Sequence, residues 1–181
     1  MPGKNFMSDV RKRAQSGSAL IEFALIAPVF FLLLFSIMEV GIIFFAQSTL
    51  QHGANDIARM VRTGQVQSGA LSQTAMKQKL CTEVAPLIPC DGNLYLDVQA
   101  FSNFSTVQFT PPLDPNGNVK GMNNYKIGGA CDVVLVRAFY AWRVFTPILT
   151  PFLTNMAGNR HLVYSAAAFR NEPFDPGKAG C

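Results

Sequence analysis

Apolar residues are concentrated in one stretch of this chain. From Ala19 to Ala46 only Glu22, Pro28, Ser36, Glu39 and Gly41 interrupt the apolar run, and Phe23–Met38 carries no charge. A helix needs roughly 20 predominantly apolar residues to cross a bilayer core, and this segment meets that requirement. Past Ala46 the pattern becomes a stripe. Leu50, Ala54, Ile57, Ala58 and Val61 recur at spacings of three and four, with Gln47, Gln51, Asn55 and Arg59 off it, which is helical periodicity. The pattern predicts one helix from Ala19 to about Arg62, roughly 66 Å long at 1.5 Å per residue. Its first half would lie in lipid and its second half under a globular domain; the alternative is two helices broken at Gly53.

The rest of the chain reads as an ordinary small domain. Thr63–Ala70 is polar and glycine-containing, hence a loop. Leu71–Val84 places Leu71, Ala75, Met76, Leu80 and Val84 on one helical face, and Pro86 and Pro89 stop it. Three β-rich runs follow. Leu94–Phe101 alternates Leu94, Leu96, Val98 and Ala100 against polar positions. Asp132–Phe145 puts Val134, Val136, Tyr140 and Trp142 on one face, and His161–Phe169 is the third. Thr146–Pro151 separates the last two, and the Pro/Gly/Asn-rich Thr110–Gly129 joins the first two. Helices followed by strands at this spacing predict an α+β fold: a long N-terminal helix packed with a second helix and a small antiparallel sheet.

Charge adds a direction. Lys4, Arg11, Lys12 and Arg13 precede the apolar run, with Asp9 the only acid among residues 1–17, so +3 of the formal +4 sits there. By the positive-inside rule this end stays cytoplasmic and the domain lies outside. Hydrophobic residues make up 49% of the chain and charged residues 14%, against about 25% charged in a typical soluble domain. That excludes a disordered chain, and the single long apolar run excludes a polytopic membrane protein. A cleaved secretory signal is a poor fit, because the run is too long, carries two glutamates and ends in FFAQS with Phe at the −3 position.

Catalytic material is sparse. His52 and His161 lie in no family signature, there is no CxxC or HExxH, and no phosphate-binding glycine motif occurs. The expectation is no enzyme, no metal, no cofactor, no small-molecule substrate and no nucleic-acid partner. Arg59 and Arg62 read as a solvated face. Asn103-Phe104-Ser105 fits a glycosylation sequon of the kind that arises by chance. The four cysteines, Cys81, Cys90, Cys131 and Cys181, all fall in the outer domain, where an even count favours disulfides. Cys81 with Cys90 closes the shortest loop and leaves Cys131 with Cys181; four free thiols are the alternative. Glu39 lies about 25 Å beyond Glu22 along a helix, near the outer edge of the hydrocarbon, where a carboxylate can reach water.

The first third of the chain also carries a resemblance. Gly17–Arg59 combines G-x-A-x-x-E-F-A-L, Pro28, the Glu39-x-Gly41 pair and an Ala/Arg-containing amphipathic tail; Gly128–Arg137 (GGACDVVLVR) and Phe169–Phe174 (FRNEPF) add to it. In these features the chain resembles the TadE-like pilus-assembly family of bacterial tight-adherence systems. The resemblance implies a pilin-like pseudopilin cut by a prepilin peptidase at the inner face of the cytoplasmic membrane. Cleavage would follow Gly17, leaving Ser18 as the new N-terminus ahead of Phe23, and Glu22 as the fifth mature residue. A carboxylate at Glu22 would pair with the freed α-amine, because an unpaired charge at the membrane boundary is costly. Glu22, Pro28 and Glu39 become candidates for assembly. The implied layout is a basic leader over 1–17, a transmembrane helix over 18–46, its continuation over 47–62 and a periplasmic domain over 63–181. The implied partners are the lipid bilayer, the prepilin peptidase, other pilin-like subunits and the pilus assembly platform. The competing expectation is an uncleaved, signal-anchored periplasmic interaction module.

Overall fold

A computed structural model describes residues 4–85, 87–111, 113–120, 124–175 and 177, with the backbone alone over 4–17. Its first element, α1, is a single helix over Lys4–Arg62. It begins well before the expected Ala19, since no proline interrupts the stretch ahead of the apolar run and one glycine costs a helix only about 1 kcal/mol. Nor does it break at Gly53. A Cβ there would stand 2.8 Å from Leu80 Cδ1 and 3.1 Å from Val84 Cγ1, so the glycine admits a neighbouring helix rather than ending this one.

That neighbour is α3, Gln73–Val84, reached through α2, a short helical turn over Gln65–Ser68. The expected loop Thr63–Ala70 is therefore partly helical. Gly64, at φ +77°, turns the chain, and Val66 is then buried as part of the core. α3 starts two residues after Leu71 because Ser72 caps it, its hydroxyl accepting from the Ala75 N–H at 3.2 Å. Met76, Leu80 and Val84 are its buried stripe.

The three strands are β1 (Leu94–Phe101), β2 (Val133–Arg143) and β3 (Arg160–Arg170), antiparallel in the order β1-β2-β3. Val98 faces Val136 and Ala138 faces Ser165. One face of the sheet buries Leu94, Leu96, Val98, Val134, Val136 and Val163 against α1 and α3, including Leu50, Ala54, Ile57 and Val61 of the α1 stripe. The other face holds a smaller cluster of Phe139, Ala141, Met156 and Leu162, covered by Leu113 and Val119 from the long β1–β2 connection. The central strand β2 is thus buried on both sides, which is why its sequence is an almost unbroken apolar run. A short helix, α4 (Thr150–Leu153), interrupts the β2–β3 connection.

The chain after β3 returns to the end of α1. The Glu172 N–H donates to the Arg62 carbonyl at 2.9 Å, satisfying one of the last helix carbonyls. Asn171 Nδ2 donates to the Ile127 and Gly129 carbonyls at 3.1 and 2.9 Å, and Phe174 lies over Gly64. A Cβ on Gly64 would stand 2.5 Å from Phe174 Cγ at a backbone angle that side chains rarely adopt. We expect Gly64→Ala to lower stability by about 1–3 kcal/mol; an unchanged midpoint in denaturant titration of the full chain in detergent would refute the close fit.

Candidate functional site

The apolar half of α1 stands largely clear of the domain. Leu20, Ile21, Phe23, Leu25 and Ile26 are each more than 60% exposed, and large apolar side chains stay exposed as far as Phe45. Little of this stretch is buried within the fold, unlike the core helix of a soluble protein, and its length and composition suit a membrane span. Gly17 falls inside α1. Next to it, Ser18 Oγ donates to Glu22 Oε1 at 3.1 Å, and both residues are exposed, as are Phe23 and Pro28. Ser18, Glu22 and Phe23 therefore share one exposed stretch of helix, with Glu22 as the acid among apolar neighbours. For a peptidase to cut after Gly17, the helix must open there, and glycine is the residue that loses least by it.

Glu39 departs from expectation. Instead of reaching water it is buried, and its carboxylate accepts two backbone hydrogen bonds from the domain, from the Phe145 N–H at 2.6 Å and the Thr146 N–H at 2.8 Å. Two donors from the turn that ends β2 replace solvent. From Glu39 upward α1 is docked on the domain; below it the helix is bare. Above it, Gln47 uses its side-chain amide like a short strand. Its Nε2 donates to the Tyr164 carbonyl and its Oε1 accepts from the Tyr164 N–H, while Gln51 Oε1 accepts from Ser165 Oγ at 2.9 Å. Gln47, off the apolar stripe, thus covers part of the free edge of β3, where unpaired backbone would otherwise invite another strand, and Gln51 holds a side chain of the same strand beside it. The signal in the sequence was two amides four residues apart beside the stripe, which point at one neighbour.

Inside the sheet, Asp97 and Arg137 face each other across β1 and β2. Arg137 donates from Nη2 and Nε to Asp97 Oδ2 at 2.6 and 3.0 Å and from Nη1 to the Thr110 carbonyl at 3.2 Å, with both residues buried. Neither residue was singled out in the sequence, since a cross-strand pair is a property of register. Cys81 is bonded to Cys90, as the shorter loop led us to expect. Cys131 is also disulfide-bonded; its expected partner, Cys181, lies outside the described residues. His52 is exposed on α1, whereas His161 Nδ1 lies 2.6 Å from the Leu153 carbonyl at the far end of β3, so the two histidines form no common site. Arg62 pairs with Glu172 at 3.4 Å while both remain about half exposed, a contact worth little in stability.

Perturbed titration is confined to packing. The Asn118 backbone N–H, helped by that of Asn116, holds the Asp114 carboxyl below the usual range. Burial pushes the Tyr125 and Tyr164 phenols up, keeping them neutral donors to the Leu71 and Phe109 carbonyls at 2.7 and 2.5 Å. Such groups pin loops and activate nothing. Among the described residues no three metal-binding side chains come together.

What remains as a site is the helix itself: a bare apolar stretch bearing Glu22 at one end and docked through Glu39 at the other, carrying a small α+β domain. Residues 17–59 match the model of a family described as TadE-like protein, the family the sequence resembles, and that family points to a pilus-associated role. The matched span contains Gly17, Ser18, Glu22, Phe23, Pro28 and Glu39; the resembling stretches at Gly128–Arg137 and Phe169–Phe174 lie outside it. No match was found among curated proteins or among solved structures.

Proposed function

We propose that the chain is a membrane-anchored, pseudopilin-like component of a bacterial tight-adherence pilus system, structural rather than catalytic. The basic leader 1–17 lies in the cytoplasm, 18–46 crosses the inner membrane, 47–62 continues the helix, and 63–181 forms the periplasmic domain. A prepilin peptidase removes the leader after Gly17, and the protein then acts in pilus assembly by packing its helix against other pilin-like subunits or the assembly platform. The observation that carries this reading is the exposed Ser18–Glu22 contact at the start of a bare apolar helix, inside the span that matches the TadE-like family. After cleavage the freed α-amine would belong to the same residue whose hydroxyl meets Glu22, and the nearby carboxylate would offset its charge.

N-terminal sequencing of the protein from native membranes tests this directly, with Ser18 as the expected first residue. Glu22→Ala is expected to leave membrane insertion intact while processing or pilus assembly is lost. Normal cleavage together with wild-type pilus numbers in that variant would overturn the role given to Glu22. One observation favours the second reading, an uncleaved anchor for a periplasmic interaction module: α1 runs unbroken across Gly17 as far back as Lys4. A mature chain beginning at Met1 or Pro2 would establish it instead.

A further inference from the structure

The domain reaches down the apolar half of α1 through one segment, 144–153, which reads VFTPILTPFL. No charged residue occurs between Arg143 and Arg160. Phe145, Ile148 and Phe152 point away from the core, at 71%, 48% and 80% exposure. Between this segment and the helix lies an apolar groove of about 690 Å³, walled by Phe31, Phe35 and Ile42 on one side and by Trp142, Phe145 and Ile148 on the other.

Depth decides what meets this surface. The helix stays apolar and exposed through Phe44 and Phe45 and turns polar from Gln47. Glu39, which holds Phe145 and Thr146, lies about 9 Å below Phe45 at 1.5 Å per residue. The segment therefore hangs beside hydrocarbon-facing helix. From Glu22 to Phe45 the helix covers about 35 Å, which exceeds a bilayer core of roughly 30 Å by an amount that ordinary tilt absorbs.

Irregular backbone is tolerated at such depth where its polar groups find partners, and several of those in this segment do. Pro147 and Pro151 have no N–H to satisfy, Glu39 takes those of Phe145 and Thr146, the Leu149 N–H donates to Thr146 at 3.0 Å, and the Thr154 N–H and hydroxyl donate to Thr150 at 3.2 and 2.8 Å. A helical partner would ask for a seam on α1, with the remaining sides polar or covered. Instead Val29, Phe30, Phe31, Leu32 and Leu33 are all exposed over more than a full turn, which suits a solvent that surrounds the helix.

We propose that segment 144–153 is a second membrane-contacting element. Phe145, Ile148 and Phe152 enter the leaflet on the domain's side, and acyl chains fill the groove beside α1. This rests on the reading of α1 as a membrane anchor. It fixes the tilt of the domain on the bilayer, because the domain is then held at two points rather than by one helix.

Trp142, the single tryptophan of the chain, lines the groove and reports on it. Full-length protein is reconstituted into phosphatidylcholine vesicles containing lipid doxyl-labelled at a shallow or a deep acyl position. We expect the shallow label to remove most of the Trp142 emission and aqueous iodide to remove little. A second variant, Phe152→Trp in a Trp142→Phe background, moves the probe to the exposed tip, and the same result is expected there. Iodide quenching of the tip without doxyl quenching would overturn the proposal. So would shielding from both quenchers that disappears on dilution into excess lipid, since a second copy would then cover the groove. Flotation of the vesicles separates the two readings: protein that fails to float removes the anchor itself, whereas protein that floats with its tip in water removes only the second contact.

Discussion

Replacing Arg137 with alanine should destabilise the domain by about 3–5 kcal/mol, the range for breaking a buried ion pair from one side. The expectation rests on what the change leaves behind. Asp97 is fully buried and Arg137 is 5% exposed. Arg137 and the Gln99 amide all donate to one carboxylate oxygen, Oδ2, while Oδ1 has no partner among the described residues. Without the guanidinium, one amide hydrogen bond faces a negative charge held away from water. The Gln108 and Thr110 carbonyls, which Arg137 Nη1 meets at 3.4 and 3.2 Å, lose their donor in the same step, so the β1–β2 connection should loosen as well. The double replacement Asp97→Leu with Arg137→Met is the informative control. Removing both charges while keeping the volume is often neutral or stabilising, so the double variant should recover most of the loss. Denaturant midpoints of the wild type and these two variants in detergent show whether the double replacement recovers the loss. If Arg137→Ala alone shifts the midpoint no more than a surface substitution does, the pair contributes nothing and the argument from burial fails.

The contrast between that pair and the rest of the sheet shows where the chain could be read in advance. Leu94–Phe101 was expected as a strand and is one at both ends, because alternation over a half-buried edge leaves a local record. The stripe from Leu50 to Val61 is equally local, and all five of its residues are buried. The span from Gly17 to Arg59 carries its own signature, matched independently of the fold. What could not be read were relations between distant residues. Asp97 looked like the polar phase of a strand until register set Arg137 opposite it. Gln47 and Gln51 lie off the apolar stripe, and only the fold shows that it is β3 that comes to lie against them. The Gly64 turn is covered by Phe174, more than a hundred residues later. Each of these is a polar or conformational solution to a contact that no periodicity announces.

Glu39 is the position where this difference has functional weight, and its replacement is the second large effect. In Glu39→Ala two part-buried backbone donors, Phe145 and Thr146, lose their shared acceptor. Hydrogen bonds to a charged group contribute about 1.5–3 kcal/mol each, so the domain's lowest attachment to α1 should weaken by about 3 kcal/mol or more. The consequence is local. The core cluster around Leu50 and Ile57 does not touch this carboxylate, so the domain should keep its fold while segment 144–153 comes away from the helix. Amide hydrogen exchange reads this out, with protection at Phe145 and Thr146 lost and protection in β2 retained. Glu39→Gln should rescue at most half, since its amide offers one acceptor oxygen and turns a donor toward the other N–H. A role confined to contacts with other subunits makes the opposite prediction: isolated Glu39→Ala protein would then exchange like the wild type at both amides. Loss of protection in the isolated chain would instead mean that the acid beside Gly41 first serves to set the domain on its own helix, and that any effect on assembly follows from the angle at which the domain is presented.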